Sequence, residues 1–248
     1  MNANLTERVA RVATDDRHGA SWLARELVRA RPAMGAIAGA LGRVIAAGRS
    51  PEQMADEARA LVEARERAAK AIAVLLSPYI EGVVMTHSAS ATVKEALLHT
   101  PPQRVICTAS EPGGEGRELV EELRGAGLTA DLVDDPDAEH AVGTVNLLLI
   151  GADTVFRDGS LVNKVGTAGL AQAAKKAGLP VIVACEVIKL TPAGARDPGE
   201  ERFDLTEPKY IDRYVTEEGA YVPDEIGSLI DRTPFLRDGY ELLADESG

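Results

Sequence analysis

The sequence predicts an α/β protein in which an N-terminal helical bundle, residues 1–77, precedes a parallel, doubly wound sheet, residues 78–248. The first part has apolar residues at helical spacing and no strand-like run. From Pro78 the period changes, and five short apolar runs alternate with helical stretches. Strands that alternate with helices are typical of a parallel sheet with helices on both faces.

Three helices are expected in the first 48 residues. Thr6 can cap the first, and the second is predicted around residues 22–28, where apolar side chains recur at helical spacing. Pro32 can begin a third helix, which ends at Gly48.

The fourth helix has the clearest start signal. Ser50 suits the N-cap, Pro51 the first helical position, and Gln53 completes a capping box three residues after the serine. This helix is expected to reach Leu76, and the short connections between the helices indicate a small bundle.

The second part alternates in type along its length. Strands are predicted at 82–86, 104–108, 129–133, 145–150 and 180–185, with helices near 90–99, 115–126, 136–142 and 166–177 and a strand-like segment at 210–216. Residues between 151 and the helix near 166 are expected to form a polar loop. Functional loops lie at the carboxyl ends of parallel strands, so the site is expected there.

Charge and composition exclude several classes of function. The net charge is -12, which argues against a nucleic-acid partner. Cys107 and Cys185 both lie in apolar runs, so we expect buried free thiols, and no His, Cys and carboxylate cluster has metal-ligand spacing. Neither a metal nor another cofactor is expected. With no secretory signal and no apolar run near ~20 residues, a cytoplasmic protein without a membrane span is predicted.

The segment around Asp153 is the first candidate site. The buried run 147–150 ends at Gly151-Ala152-Asp153, where an acidic residue follows the end of a strand. Asp153 suits a general acid or base or an anchor for sugar hydroxyls, and it equally suits a capping residue of the next turn.

A cluster that suits an anion follows in the chain. Asn163, Lys164, Gly166 and Thr167 come directly before a predicted helix, whose first N–H groups have partial positive charge. A phosphate is the anion that this cluster suits best. A solvated lysine on a turn is the alternative interpretation of Lys164.

Two further places have weaker signals. His87 and Ser88 follow the first strand, and a histidine there can transfer protons, although a strand-end or capping role is favoured. Arg31 lies near the start of the third helix, where it can bind a phosphate or simply be solvated. The chain has no G-x-S-x-G, G-x-G-x-x-G or P-loop motif, which argues against a serine hydrolase and against standard nucleotide sites.

The segment 151–189 resembles the signature of one family. That family contains the alpha, beta and delta subunits of translation initiation factor 2B, together with isomerases of ribose 1,5-bisphosphate and methylthioribose 1-phosphate. The matching features are Gly-Ala-Asp, Asp-Gly, Asn-Lys-x-Gly-Thr, Glu186…Lys189, Arg31-Pro32, Thr86-His87-Ser88 and Thr216-Glu217-x-Gly219 with Pro223. The resemblance implies an N-terminal helical domain followed by a Rossmann-like domain.

Two departures from the isomerase pattern point away from catalysis. The isomerases resemble one another in a cysteine that works with the Gly-Ala-Asp aspartate, and this chain has Ser88 at that position. A serine hydroxyl is a far weaker acid than a thiol. Glu111 stands where the family usually has an arginine, which puts a negative charge where a phosphate would bind.

The resemblance therefore implies a non-catalytic, initiation factor 2B-like scaffold or regulator. We expect a homodimer that binds a translation initiation factor, with a degenerate sugar-phosphate pocket formed by Asp153, Asn163, Lys164 and Arg31. The first alternative is an aldose-phosphate isomerase in which Ser88 or His87 replaces the thiol and Asp153 is the acid or base. The second is a metabolite-binding regulator unconnected with translation.

Overall fold

A computed structural model describes residues 20–48 and 50–244. The expected Thr6 cap lies outside these residues. The described N-terminal part is helical, with α1 at Ala20–Ala30, α2 at Gly35–Ala46 and α3 at Pro51–Leu76. The capping box is formed as predicted, since Ser50 Oγ accepts from the Gln53 N–H at 3.2 Å and the Gln53 side chain accepts from the Ser50 N–H at 3.3 Å.

Helix α2 begins three residues later than the sequence suggested. The prediction placed its start at Pro32, whereas the first helical residue is Gly35. The Gly35 N–H donates to Thr154 Oγ1 at 2.7 Å and to the Asp153 carbonyl at 3.0 Å. Tertiary acceptors from the sheet domain thus satisfy the helix start, and they fix α2 beside Asp153.

Close packing joins α2 to the end of a sheet strand. A Cβ on Gly39 would lie 2.1 Å from the Ile188 carbonyl oxygen, far inside any real contact distance. Only glycine lets the two backbones approach this closely. The helical layer is therefore held directly against the carboxyl edge of the main sheet.

The main sheet has seven strands and confirms the predicted fold class. They are β1 Val83–Thr86, β2 Arg104–Thr108, β3 Ala130–Val133, β4 Leu147–Ile150, β7 Val181–Ala184, β10 Arg213–Thr216 and β11 Gly219–Tyr221. Their order is β11-β10-β7-β4-β1-β2-β3, and all neighbours are parallel except β10 and β11. The strand order reverses between β1 and β4, and in open α/β sheets ligands bind at such a switch point.

Helices cover both faces of this sheet, and this explains its uninterrupted apolar runs. The end of α3 packs on one face through Ile72 and Leu76, and the helices that follow are α4 Ala91–His99, α5 Glu115–Gly125, α6 Ala138–Val142, α7 Thr167–Lys176 and α8 Ile226–Asp231. The last helix, α9 Pro234–Ala244, packs mainly against α2. In β4, Leu147 and Leu149 belong to one buried cluster while Leu148 and Ile150 belong to the other. Since both faces are buried, every position of the strand is apolar.

A second, four-stranded sheet corrects the predicted polar loop. It consists of β5 Thr154–Phe156, β6 Leu161–Lys164, β8 Leu190–Thr191 and β9 Phe203–Thr206, in the order β8-β5-β6-β9. The residues expected in a loop after 151 form the antiparallel pair β5 and β6, and Asn163 and Lys164 lie inside β6. Strands β5 and β6 have three and four residues, too few to show a clear alternation of apolar and polar side chains. The Asp158-Gly159 turn between them, with Gly159 at φ +78°, was the available signal.

Candidate functional site

The carboxyl ends of β1 and β4 meet at one cavity. Its volume is about 140 Å³, and it is lined by Ser88, which follows β1, and by Asp153, which follows β4. Asn163 also lines the cavity, as do three residues that the sequence reasoning had not chosen as site residues: Arg65, Glu186 and Lys189. The fold thus places together two strand ends that lie 65 residues apart in the chain.

Ser88 is held in an unusual backbone conformation. Its φ is +61°, in the left-handed region that L-residues rarely adopt, and Ser110 at the end of β2 has a φ of +64°. The Ser88 N–H donates to Ser110 Oγ at 2.8 Å, which joins the two strained residues. Strain of this kind clusters at functional sites. The serine that stands at the position of the isomerases' cysteine therefore lies at a built turn.

His87 is part of a buried chain of hydrogen bonds. Its Nε2 lies 2.9 Å from the Val165 carbonyl oxygen, and a carbonyl only accepts, so Nε2 has the proton. Nδ1 then accepts from the Thr108 hydroxyl at 2.6 Å, and Thr108 Oγ1 accepts from the Ser110 hydroxyl at 2.7 Å.

This arrangement keeps the His87 ring neutral and occupied. Burial lowers its pKa, against the opposing effect of the Val165 carbonyl. Both ring nitrogens are bonded to the protein, so His87 joins β1, β2 and the segment before α7. A structural role accounts for both of its contacts.

Lys164 is buried and paired. Its side chain is only 6% exposed, and Nζ donates to Glu115 Oε2 at 2.8 Å and Oε1 at 3.0 Å and also to the Pro112 carbonyl. Arg202 lies 3.7 Å from the same carboxylate. Burial is the strongest single influence on the pKa of Glu115 and acts to raise it. The hydrogen bond from Lys164, a backbone hydrogen bond and the charges of Lys164 and Arg202 together outweigh burial, so the pKa is lowered. The charge of Lys164, which was expected to bind a phosphate, is thus already neutralised by Glu115. Because its side chain is buried, Lys164 is also not the solvated lysine of the alternative interpretation.

The start of α7 is occupied by a carboxylate from the chain itself. Asp204 in β9 accepts from the N–H groups of Gly166 at 2.7 Å and Ala168 at 3.2 Å. Asn163 donates to Thr167 Oγ1 at 3.1 Å, and that hydroxyl donates to the Lys164 carbonyl. The positive end of the helix dipole therefore has its anion. Sequence reasoning missed Asp204, which lies far along the chain.

Asp153 remains available to a ligand. Burial raises its pKa, while Lys189 opposes that shift. Lys189 Nζ donates to the Ala152 carbonyl at 2.7 Å, and within the described ranges no carboxylate lies within salt-bridge distance of it. Asp153 and Lys189 therefore act on each other electrostatically, and an acid with a raised pKa beside an ammonium group is suited to proton transfer.

Arg65 and Glu186 form a bidentate pair at the mouth of the cavity. Arg65 Nε and Nη2 lie 2.8 and 3.1 Å from the two oxygens of Glu186. Arg65 is on α3 and Glu186 follows β7, so the pair connects the helical layer to the sheet. Nothing in the sequence distinguishes Arg65 from the other charged residues of α3.

Arg31 lies in an adjoining cavity. This second cavity has a volume of about 490 Å³, and it shares Arg65, Asp153 and Lys189 with the first. Arg31 Nη1 is 3.8 Å from Glu200. Glu111 lines neither cavity, because its half-exposed side chain is turned toward Gly113 and Arg117.

Within residues 20–48 and 50–244, no group of three or more His, Cys, Asp or Glu side chains is placed to hold a metal ion, and no helix is long and apolar enough to cross a membrane. Cys107 and Cys185 are buried and free, and burial raises each thiol pKa to about 12.

Comparison with known proteins decides the family. Residues 20–202 match the model of the initiation factor 2 subunit family. The chain belongs to this family. A putative translation initiation factor eIF-2B subunit 2-like protein of Pyrococcus horikoshii is 30% identical to this family member over 223 residues, which are 81% of the chain and 80% of the relative.

The relatives differ in their named activities. Ribose 1,5-bisphosphate isomerase of Archaeoglobus fulgidus is 33% identical over 175 residues, 59% of this chain, and the match spans only 56% of that isomerase. The crystal structure of Pyrococcus horikoshii initiation factor eIF-2B superposes with a TM-score of 0.74 and 25% identity, covering 90% of this chain and 98% of that one. Family membership thus leaves a regulatory and a catalytic role open.

Proposed function

We propose that this family member is a non-catalytic, initiation factor 2B-like scaffold or regulator. It acts as a cytoplasmic homodimer that binds a translation initiation factor, and its site is a reduced phosphate pocket that senses rather than converts a sugar phosphate. The observation that supports this most directly is that the groups suited to bind a phosphate in or near the cavities are already paired with carboxylates of the chain itself. Lys164 is bonded to Glu115, Arg65 to Glu186, and the start of α7 to Asp204.

Charge balance argues against a doubly phosphorylated sugar. Each phosphate monoester has a charge of about −1.5 to −2 near neutral pH, so two of them need several uncompensated cations. Among the described residues no carboxylate lies at salt-bridge distance from the cavity cation Lys189, and the Asp153 carboxyl in the same cavity already offsets part of its charge. One anionic group can be held there, whereas a second has no matching charge.

The acid/base groups of the site are also incomplete. Ser88 stands where a thiol would be, and the two thiols of the chain are buried with raised pKa values. His87 has both ring nitrogens occupied. Asp153 is thus left without a partner of matched acidity.

A second candidate function is aldose-phosphate isomerisation. Its specific support is Asp153, which lines the same cavity as Ser88 and has a pKa raised by burial, the direction of shift that a general acid needs. The 33% identity to the Archaeoglobus isomerase is in its favour as well.

Phosphorus NMR separates the two functions. Purified protein is mixed with ribose 1,5-bisphosphate in low and high salt, with the Archaeoglobus isomerase as positive control. An unchanged substrate spectrum is expected, and line broadening would separate a sensor from a bare scaffold. Conversion to the ketose bisphosphate that is lost in Asp153→Asn would overturn the proposal in favour of the isomerase.

Light scattering coupled to gel filtration tests the scaffold. The proposal expects a dimer without any ligand, and a pull-down that recovers a translation initiation factor. A monomer at micromolar concentration would refute the scaffold role independently of the NMR result.

A further inference from the structure

A separate cleft opens where α3 meets the β10–β11 turn. It is bounded by α3, by the segment after β7, by that turn and by the start of α9. Of the residues that line the cavity at Asp153, it shares only the paired Arg65 and Glu186. Its volume is about 280 Å³, close to the lower end of the range for small-molecule sites, which begins near ~300 Å³.

The cleft has an apolar floor. The apolar residues that line it are Leu61, Ala64, Ala68, Ala71, Val187, Ile188 and Phe235. The four that belong to α3 recur at helical spacing, so they form one stripe along that helix. Three of these four are alanines, whose methyl groups are too short to reach across the cleft. Open space beside an apolar stripe is space that an apolar part of a ligand can occupy.

The arginines of the cleft are already paired with carboxylates of the chain. The pairs are Arg43 with Glu57 at 2.6 Å, Arg65 with Glu186 at 2.8 Å and Arg67 with Glu63 at 3.6 Å. An anionic ligand would have to compete with one of these carboxylates. The cleft is therefore not suited to an anion.

The acidic side of the cleft has no such compensation. Glu217 and Glu218 form the β10–β11 turn, and in the part of the chain that the structure describes no lysine or arginine lies within salt-bridge distance of either. The Glu217 carboxylate accepts from the Val187 N–H at 3.0 and 3.2 Å. Burial raises the pKa of Glu217, and the charges of Glu186 and Glu218 raise it further against that hydrogen bond. A positive group beside this turn would relieve the repulsion and donate to the free acceptor positions of the carboxylates.

We propose that this cleft binds a small organic cation, a primary alkylammonium ion, with its ammonium group at Glu217 and Glu218 and its apolar chain on the α3 stripe. The inference does not rest on the proposed function, because it uses neither Asp153 nor a phosphate. The ligand also has the opposite sign of charge from a sugar phosphate.

Two probes of equal charge test the apolar floor. Methylammonium and n-butylammonium are titrated into the full chain at one pH and ionic strength, and the methyl NMR signals of Val187 and Ile188 report binding. Each fully buried methylene strengthens binding about fourfold, so three of them set a ceiling of about sixtyfold. We expect n-butylammonium to bind about tenfold more tightly than methylammonium, because the cleft is partly open to water.

Cleft-filling variants localise the apolar contact. Ala64→Leu and Ala71→Leu each fill the cleft from α3, so a folding defect in one leaves the other as a test. Both should abolish the preference for n-butylammonium while leaving the affinity for methylammonium unchanged. Ala60→Leu, an exposed position of the same helix outside the cleft, is the matched control and should keep the preference.

Removal of the carboxylates tests the charged end. Glu217→Gln and Glu218→Gln should each weaken n-butylammonium about threefold, the effect of losing one partly exposed charge pair. Neutral n-butanol should bind more weakly than n-butylammonium, and neither variant should change its affinity. Glu121→Gln, an exposed carboxylate of α5 outside the cleft, changes the net charge equally and should have no effect.

Four results would overturn the proposal. They are equal binding of the two ammonium ions, no shift of the Val187 and Ile188 signals with either ion, a butyl preference that survives in both filled variants, and a loss in Glu121→Gln as large as in Glu217→Gln. The last result would mean a general attraction of cations to an acidic chain. None of these results depends on turnover or on the oligomeric state, so failure here is distinct from failure of the scaffold role.

Discussion

Removing the carboxylate that pairs with Lys164 should destabilise the protein measurably. Glu115→Gln leaves an ammonium group that is 6% exposed with only neutral partners. Breaking a fully buried ion pair costs about 3–5 kcal/mol, and a hydrogen bond to a charged group contributes about 1.5–3 kcal/mol. Because the Glu115 side chain is 32% exposed, we expect the substitution to cost about 2–3 kcal/mol, toward the low end of the range for a fully buried ion pair. For a chain of this size that lowers the Tm by roughly 5–10 °C.

A double-mutant cycle in urea measures the pair itself. Lys164→Met removes the buried charge, so the double variant with Glu115→Gln should be more stable than Glu115→Gln alone. The expected coupling is about 1.5–3 kcal/mol. Glu118→Gln, an exposed carboxylate in the same first turn of α5, controls for the helix dipole and should cost less than about 1 kcal/mol. A double variant no more stable than Glu115→Gln, or strictly additive effects, would refute the reasoning.

The same variant has a defined pH dependence. The folded-state pKa of Glu115 is lowered, because the hydrogen bonds to its carboxylate and the charges of Lys164 and Arg202 together outweigh the opposing effect of burial. A lowered carboxyl pKa stabilises the fold fully above the unfolded value of 4.5, and that stabilisation is lost as the pH falls through the folded-state value. The difference between parent and Glu115→Gln should therefore shrink below about pH 4.5.

Three further outcomes are expected. Asp153→Asn should raise the free energy of unfolding at pH 7.5 by about 0.5–2 kcal/mol in urea titrations, because burial raises the pKa of Asp153 and makes its ionised form costly in the fold. The gain should vanish below the pKa of Asp153 in the unfolded chain, and a loss of stability at pH 7.5 would contradict this. By NMR the His87 ring should titrate below the ordinary histidine value of 6.5, because burial lowers its pKa, and its contribution to stability should decline as the pH falls below 6.5; a ring that protonates with a pKa of 6.5 or above would contradict this. Cys107 and Cys185 should not react with a thiol reagent at pH 8 until the chain is unfolded, since burial raises both pKa values to about 12; fast labelling of native protein would contradict this.

Local chemistry and periodicity in the sequence determined the fold class. The continuous apolar run of β4 predicted a strand buried on both faces, and Ser50 with Gln53 predicted the start of α3. These signals depend on nearest neighbours along the chain, so no tertiary knowledge was needed. The strands of the second sheet, which have two to four residues each, gave no such signal, because they are stabilised by partners as distant along the chain as β6 and β9.

For the candidate site, the sequence indicated which residue types lie at the strand ends but not which groups they contact. The sequence placed Asp153, Ser88 and Lys164 near one edge of the sheet, because parallel strands end together. Only the tertiary structure decided which of them stays available to a ligand. Lys164 is neutralised by Glu115 from a helix 49 residues earlier, and the start of α7 by Asp204. Whether a buried charge is free or paired depends on contacts between distant segments, and no local pattern encodes those contacts.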